Sequence, residues 1–128
     1  MWSGGGDETW EYDGISWKQV VPTDPEGDGN PASRAWLGMV YHEANQSVFL
    51  FGGLIFDGSE SSAFDDTWEF DGNSWSKINY SELLNSEPPD PQFQHGMAYD
   101  TSRNSVVSVP FGEDVWEFNA AGWEKVSP

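Results

Sequence analysis

The chain has 128 residues, a net charge of −17 from 22 acids against five lysines and arginines, 16% aromatic residues including eight tryptophans, and no cysteine. That length bounds one domain, and the charge argues against nucleic acid or an anionic membrane surface as partner, because phosphates are gripped by Lys and Arg that displace counterions. The lack of cysteine excludes disulfides, thiolate metal sites and thiol catalysis, and no run of about 18 apolar residues suggests a membrane-inserting helix.

Helical periodicity is nearly absent, and short β-rich runs recur between turn signals. Residues 10–13 and 17–21 read as a hairpin about Asp13-Gly14, a strong tight-turn dipeptide. Strands follow at 34–42 and 47–51, linked by Glu43-Ala44-Asn45-Gln46, then at 67–71 and 74–79 about Asp71-Gly72. The remaining strands are expected at 95–100, 105–110, 115–119 and 122–126. Residues 22–33, 54–65 and 81–92 read as long loops. Residues 1–6 carry neither the basic nor the apolar stretch of a secretory leader.

One phrase occurs three times: Trp10-Glu11-Tyr12-Asp13-Gly14-Ile15-Ser16-Trp17, Trp68-Glu69-Phe70-Asp71-Gly72-Asn73-Ser74-Trp75 and Trp116-Glu117-Phe118-Asn119-Ala120-Ala121-Gly122-Trp123. The copies start 58 and 48 residues apart, a propeller-like spacing. A second block repeats at the same offset of 58, with Pro31, Gly38, Met39, Val40 and Tyr41 matching Pro89, Gly96, Met97, Ala98 and Tyr99.

These features resemble the kelch-repeat family over nearly the whole chain. Val48-Phe49-Leu50-Phe51-Gly52-Gly53 looks like its apolar strand with double glycine, and Asp66 through Trp75 like its Trp-bearing strand and turn. The resemblance implies an all-β, kelch-type β-propeller segment of about two and a half four-stranded antiparallel blades. Residues 1–128 then form a single repeat region, with a half blade at 1–21 and blades at 34–79 and 93–127. Trp2-Ser3-Gly4-Gly5 looks like the tail of a second blade strand, and Val109-Pro110-Phe111-Gly112-Glu113 like a degenerate one. Because propellers close with about four to eight blades, further blades or copies are expected to complete the ring.

Most repeated aromatics are expected in the core. Trp36 lies outside the phrase and reads either as a ligand-stacking residue or as filler between blades. The repeated Glu11, Glu69 and Glu117 suggest a structural role, such as pairing with Lys18 or Lys77. His42 and His95 hold non-equivalent repeat positions without a third partner at ligand spacing, which argues against a copper or zinc site. The relative galactose oxidase needs a cysteine–tyrosine crosslink, which this chain cannot make. No catalytic residue is assigned, and no hydrolase elbow, zincin helix or phosphate loop occurs.

In an antiparallel blade, the loops entering the first and third strands share one face. That face receives 14 of the 22 acids, including Asp24, Glu26, Asp28, Asp57, Asp65 and Asp66, and no Lys or Arg. Long loops on a rigid scaffold are where binding usually resides. Asp24-Pro25-Glu26-Gly27-Asp28-Gly29-Asn30 spaces oxygen donors as a calcium loop does, but Ala35 sits where an EF-hand needs Glu. An acidic solvated turn is the other reading, and no other cofactor is expected.

The expectation is a non-catalytic binding module whose partner or ligand face holds Asp24, Glu26, Asp28, Trp36, Asp57, Asp65 and Asp66. A protein partner is the family default, the acidic loops favour a basic one, and a sugar is a further candidate. The alternative is a fragment of a carbohydrate-active or oxidase propeller whose catalytic groups lie in other blades. The acidic, cysteine-free composition resembles extracytoplasmic kelch proteins, while a cytoplasmic home stays open.

Overall fold

Each copy of the repeated phrase folds as a hairpin. The computed structural model describes residues 8–93, 95–110 and 114–126. The first copy makes β1 (Thr9–Tyr12) and β2 (Trp17–Val20), antiparallel, with Tyr12 opposite Trp17. Then follow β3 (Gly38–His42), β4 (Ser47–Phe51), β5 (Leu54–Phe56), β6 (Ser61–Ala63), β7 (Thr67–Phe70) and β8 (Trp75–Lys77). The chain continues with β9 (Gly96–Asp100), β10 (Ser105–Val109), β11 (Trp116–Asn119) and β12 (Gly122–Lys125).

The acid after the aromatic residue makes the hairpin turn. Asp13 accepts from the amides of Ile15 (2.8 Å) and Ser16 (2.9 Å), and Asp71 from those of Asn73 (2.8 Å) and Ser74 (2.9 Å). Such a carboxylate substitutes for the missing ladder partners of a tight turn. In the third copy Asn119 takes the amide of Ala121 at 2.8 Å.

The described residues are all-β apart from two short 3-10 turns, Glu43–Asn45 and Tyr80–Glu82. Two four-stranded antiparallel sheets have the same connectivity, β3-β4-β7-β8 and β9-β10-β11-β12. The pairs β1-β2 and β5-β6 are two-stranded. Strand side chains alternate between faces, so β4 serves two cores. Phe49 and Phe51 meet Val106, Phe118 and Trp123 of the β9–β12 sheet, with ring centroids of Phe51 and Trp123 4.7 Å apart. From the other face Leu50 joins Trp68, Phe70 and Trp75, against which Val20 of β2 packs. Each such buried side chain contributes about 1.5–3 kcal/mol.

Polar staples repeat with the cores. The indole of Trp75 donates to the Thr9 hydroxyl at 2.9 Å, and that of Trp123 to Thr67 at 3.0 Å. Both tie the last strand of one sheet to the phrase strand of the sheet before it. Gly52 and Gly53 let two segments approach closely. Gly52 has φ +75°, and a Cβ there would lie 2.5 Å from the Gln92 carbonyl, which accepts the Gly53 amide at 2.7 Å. No side chain fits between these two segments.

Some expectations change in detail. Residues 54–65, read as an open loop, contain the β5-β6 hairpin. The strand expected at 34–42 begins only at Gly38, because Ala35 bridges Leu54 instead and Trp36, at φ +56°, interrupts the extended backbone. Glu11 does lie opposite Lys18, but Glu69 faces Ser76 and bonds His42 and Asn45 instead. Glu117 pairs with Arg103. The readings of Trp2-Ser3-Gly4-Gly5 and of Phe111-Gly112-Glu113 lie outside the described residues. No described helix is long and apolar enough to cross a membrane.

Candidate functional site

The segment after β2 is laid along the outer strand of the β3–β8 sheet by its own acids. Thr23 bridges Ser74, its amide donating to Asn73 at 2.8 Å. Asp24 accepts from the amides of Asp28 (3.1 Å) and Gly29 (3.0 Å), which closes the turn. Asp28 reaches across to the Lys77 amide at 2.9 Å and Glu26 to the Ser76 hydroxyl at 3.4 Å. A side chain thereby caps an amide that an edge strand would leave open. One carboxylate oxygen from each of Asp24, Glu26 and Asp28 lies within 4.8 Å of the others, and all three residues are exposed. An oxygen-only set of this kind suits a hard cation.

Beside this loop is a groove of about 590 Å³, lined among others by Asp28, Asp65, Asp66, Lys77, Tyr80 and Pro88. Asp66 serves the fold: it holds buried Arg34 through two bonds of 2.5 and 2.9 Å and takes the Trp68 indole at 2.7 Å. Burial pushes the Asp66 carboxyl up, but the bonds from Arg34 and Trp68 and the Arg34 charge outweigh it and hold it below the ordinary value. Tyr80 forms the groove wall through a directed chain of hydrogen bonds. Its hydroxyl donates to the Asp65 carbonyl at 2.5 Å, leaving its oxygen to accept from Thr67 at 2.6 Å, and Thr67 in turn accepts from Trp123. Burial pushes the Tyr80 phenol well up, so it stays protonated.

The other candidates are scattered. Asp57 makes the turn of the β5-β6 hairpin, accepting from the amides of Ser59 (3.0 Å) and Glu60 (2.8 Å). These bonds lower its carboxyl, the Glu60 amide most. Trp36 is 55% exposed, has φ +56°, and stacks on Phe93, ahead of β9, with centroids 6.2 Å apart. Both histidines are core residues. His42 bonds Glu69 at 2.9 Å, and burial pushes His95 below its ordinary value.

Arg34, Tyr80 and Phe93 carried no signal of their roles in the sequence. Each lies outside the repeated phrase, so no internal copy marked it, and Arg34 offered only the clue of being a rare cation in an acid-rich chain. No known family model matches the sequence.

Proposed function

We propose that the chain is a segment of a kelch-type β-propeller and acts as a non-catalytic binding module, taking a basic segment of a partner protein on its acidic loop face. The shared connectivity of the two four-stranded sheets, the repeated Trp–Thr staples and the double glycine support the propeller reading. The groove carries the binding reading. Two segments distant in sequence bring Asp28 and Asp65 to the lining of one groove, with Lys77 and the apolar surfaces of Ile78, Tyr80 and Pro88 beside them. A Lys or Arg side chain has the matching form, an apolar stem with a cationic head. The net charge of −17 would steer such a partner inward.

Calcium at Asp24, Glu26 and Asp28 is a second reading, favoured by their clustered oxygens. Asp28 belongs to both sites, so a bound cation would compete with a basic ligand at the groove.

The test is a fluorescence titration with a labelled Lys/Arg-rich peptide. The Asp28→Asn/Asp65→Asn variant is expected to weaken binding about tenfold, or about 1.4 kcal/mol. Glu43→Gln/Glu124→Gln removes the same charge from exposed positions elsewhere and is expected to change little. Equal losses in both variants would reduce the effect to net charge, and equal binding of a neutral oligosaccharide would replace the basic ligand by a sugar. Repeating the titration in calcium chloride is expected to weaken peptide binding more than the same ionic strength of sodium chloride does. Equal weakening would dismiss the calcium reading.

A further inference from the structure

In the two four-stranded sheets the aromatic residues that recur with the repeat fill the cores, Phe70 against Trp75 and Phe118 against Trp123, with centroids 5.0 and 5.4 Å apart. Trp36 and Phe93 belong to no repeat: the residues 58 positions away are Gln94 and Ala35. Their rings nevertheless stack on each other, 6.2 Å apart with 30° between planes, and stay 55% and 43% exposed. Trp36 holds this place from a left-handed backbone, φ +56°, which is strained for so bulky a side chain. Burial of a half-exposed ring does little to offset that strain, and such outliers gather where a ligand is held.

The pair lies beside the groove. Asp65, which lines the groove, adjoins Phe64, whose carbonyl accepts from the Gln92 amide at 3.3 Å, and Gln92 adjoins Phe93. Bond lengths then put the Cα atoms of Asp65 and Phe93 no more than about 15 Å apart. An extended chain rises about 3.3 Å per residue and covers that distance in about four residues.

Charge and the fold's own contacts specify the occupant. With −17 on the chain, a cation is drawn to these exposed rings and an anion is repelled. One contact of this kind is already made inside the fold: the Arg34 guanidinium lies 3.9 Å from the centre of the Phe64 ring while Asp66 accepts from its nitrogens. A guanidinium is planar and weakly hydrated, so it stacks on a ring face, whereas an ammonium is a compact and strongly hydrated point charge.

We infer that the Trp36–Phe93 pair is an arginine-selective anchor for the basic partner segment, holding an arginine about four residues from the cationic side chain seated in the groove. The anchor presupposes that the loop face takes a basic segment, and it adds a preference that carboxylates alone would not give.

The experiment is an NMR titration of the 128-residue chain with the peptide Arg-Gly-Ser-Gly-Lys-Gly-Ser-Gly-Arg, whose arginines flank the lysine at that spacing so that either chain direction serves. The arginine δ protons are expected to move upfield, because they come to lie over ring faces. The same peptide with lysine in place of both arginines is expected to bind about threefold more weakly. Trp36→Gly suits the left-handed backbone, so the thermal midpoint should hold while the upfield shift disappears and the two peptides bind alike. Asp28→Asn/Asp65→Asn should weaken both peptides and keep the shift at saturation. If the carboxylate variant weakens binding while Trp36→Gly leaves the arginine preference and the shift in place, the anchor is overturned and the proposed function stands. Binding of neither peptide, or a carboxylate variant without effect, would overturn both. An equal upfield shift in the ring protons of a neutral oligosaccharide would overturn the arginine assignment in favour of a sugar.

Discussion

Asp66 holds Arg34 by two short bonds in a place where Arg34 is almost wholly enclosed. Removing one partner of such a pair strands the other charge, so Asp66→Asn is expected to cost about 3 kcal/mol at neutral pH. The pH dependence has a definite sign. The folded carboxyl is held below its ordinary 3.8, so its contribution is complete above that value and is lost as pH falls through the folded one. Urea unfolding of wild type and Asp66→Asn should show a gap that closes below about pH 4. A gap independent of pH would mean that shape, not charge, is what the substitution disturbs. Asp66 also shows why composition misleads about sites. Counted among the loop acids it looks available to a ligand, yet its charge is already answered within the fold.

Between elements, the recurring device is an indole donating to a threonine hydroxyl of the preceding sheet. Thr67 is fully buried and also links Trp123 to Tyr80. Thr67→Val keeps the shape but leaves the Trp123 donor unanswered, at a cost of about 1–3 kcal/mol. Chemical denaturation should show this loss together with movement of the Tyr80 ring, read as a change at the groove by NMR. An unchanged midpoint would mean that water replaces the hydroxyl. The corresponding residue of the third copy is Val115, which has no such acceptor. The staple therefore ends at the β9–β12 sheet, although the phrase itself continues.

At the scale of the molecule, a charge of −17 on 128 residues works against the compact state. The described ion pairs use only Arg34, Arg103, Lys125 and His42 on the positive side. Added salt screens exposed charges over about 10 Å at 0.1 M but leaves buried pairs nearly intact. The thermal midpoint is expected to rise between about 20 and 500 mM sodium chloride. A fall would mean that exposed pairs such as Lys125 with Asp114 outweigh the general repulsion.

Local chemistry was readable from the chain alone. The Asp of each Asp-Gly turn bonds amides two and three residues on, and alternating Trp-Glu-aromatic phrases split their side chains between two faces, so the hairpins and most of the buried aromatics followed from spacing. The run Val48-Phe49-Leu50-Phe51 ahead of Gly52-Gly53 likewise read as an apolar strand ending in a double glycine. Tertiary structure decided what spacing cannot encode: which acids are spent on partners, and where two loops meet. Asp28 reaches Lys77, Asp66 closes on Arg34, and Tyr80 joins Asp65 to Thr67 across distances in sequence that no local pattern spans. Turns and strand faces depend on neighbours within a few residues, whereas the groove and the two shared cores depend on how whole sheets come together.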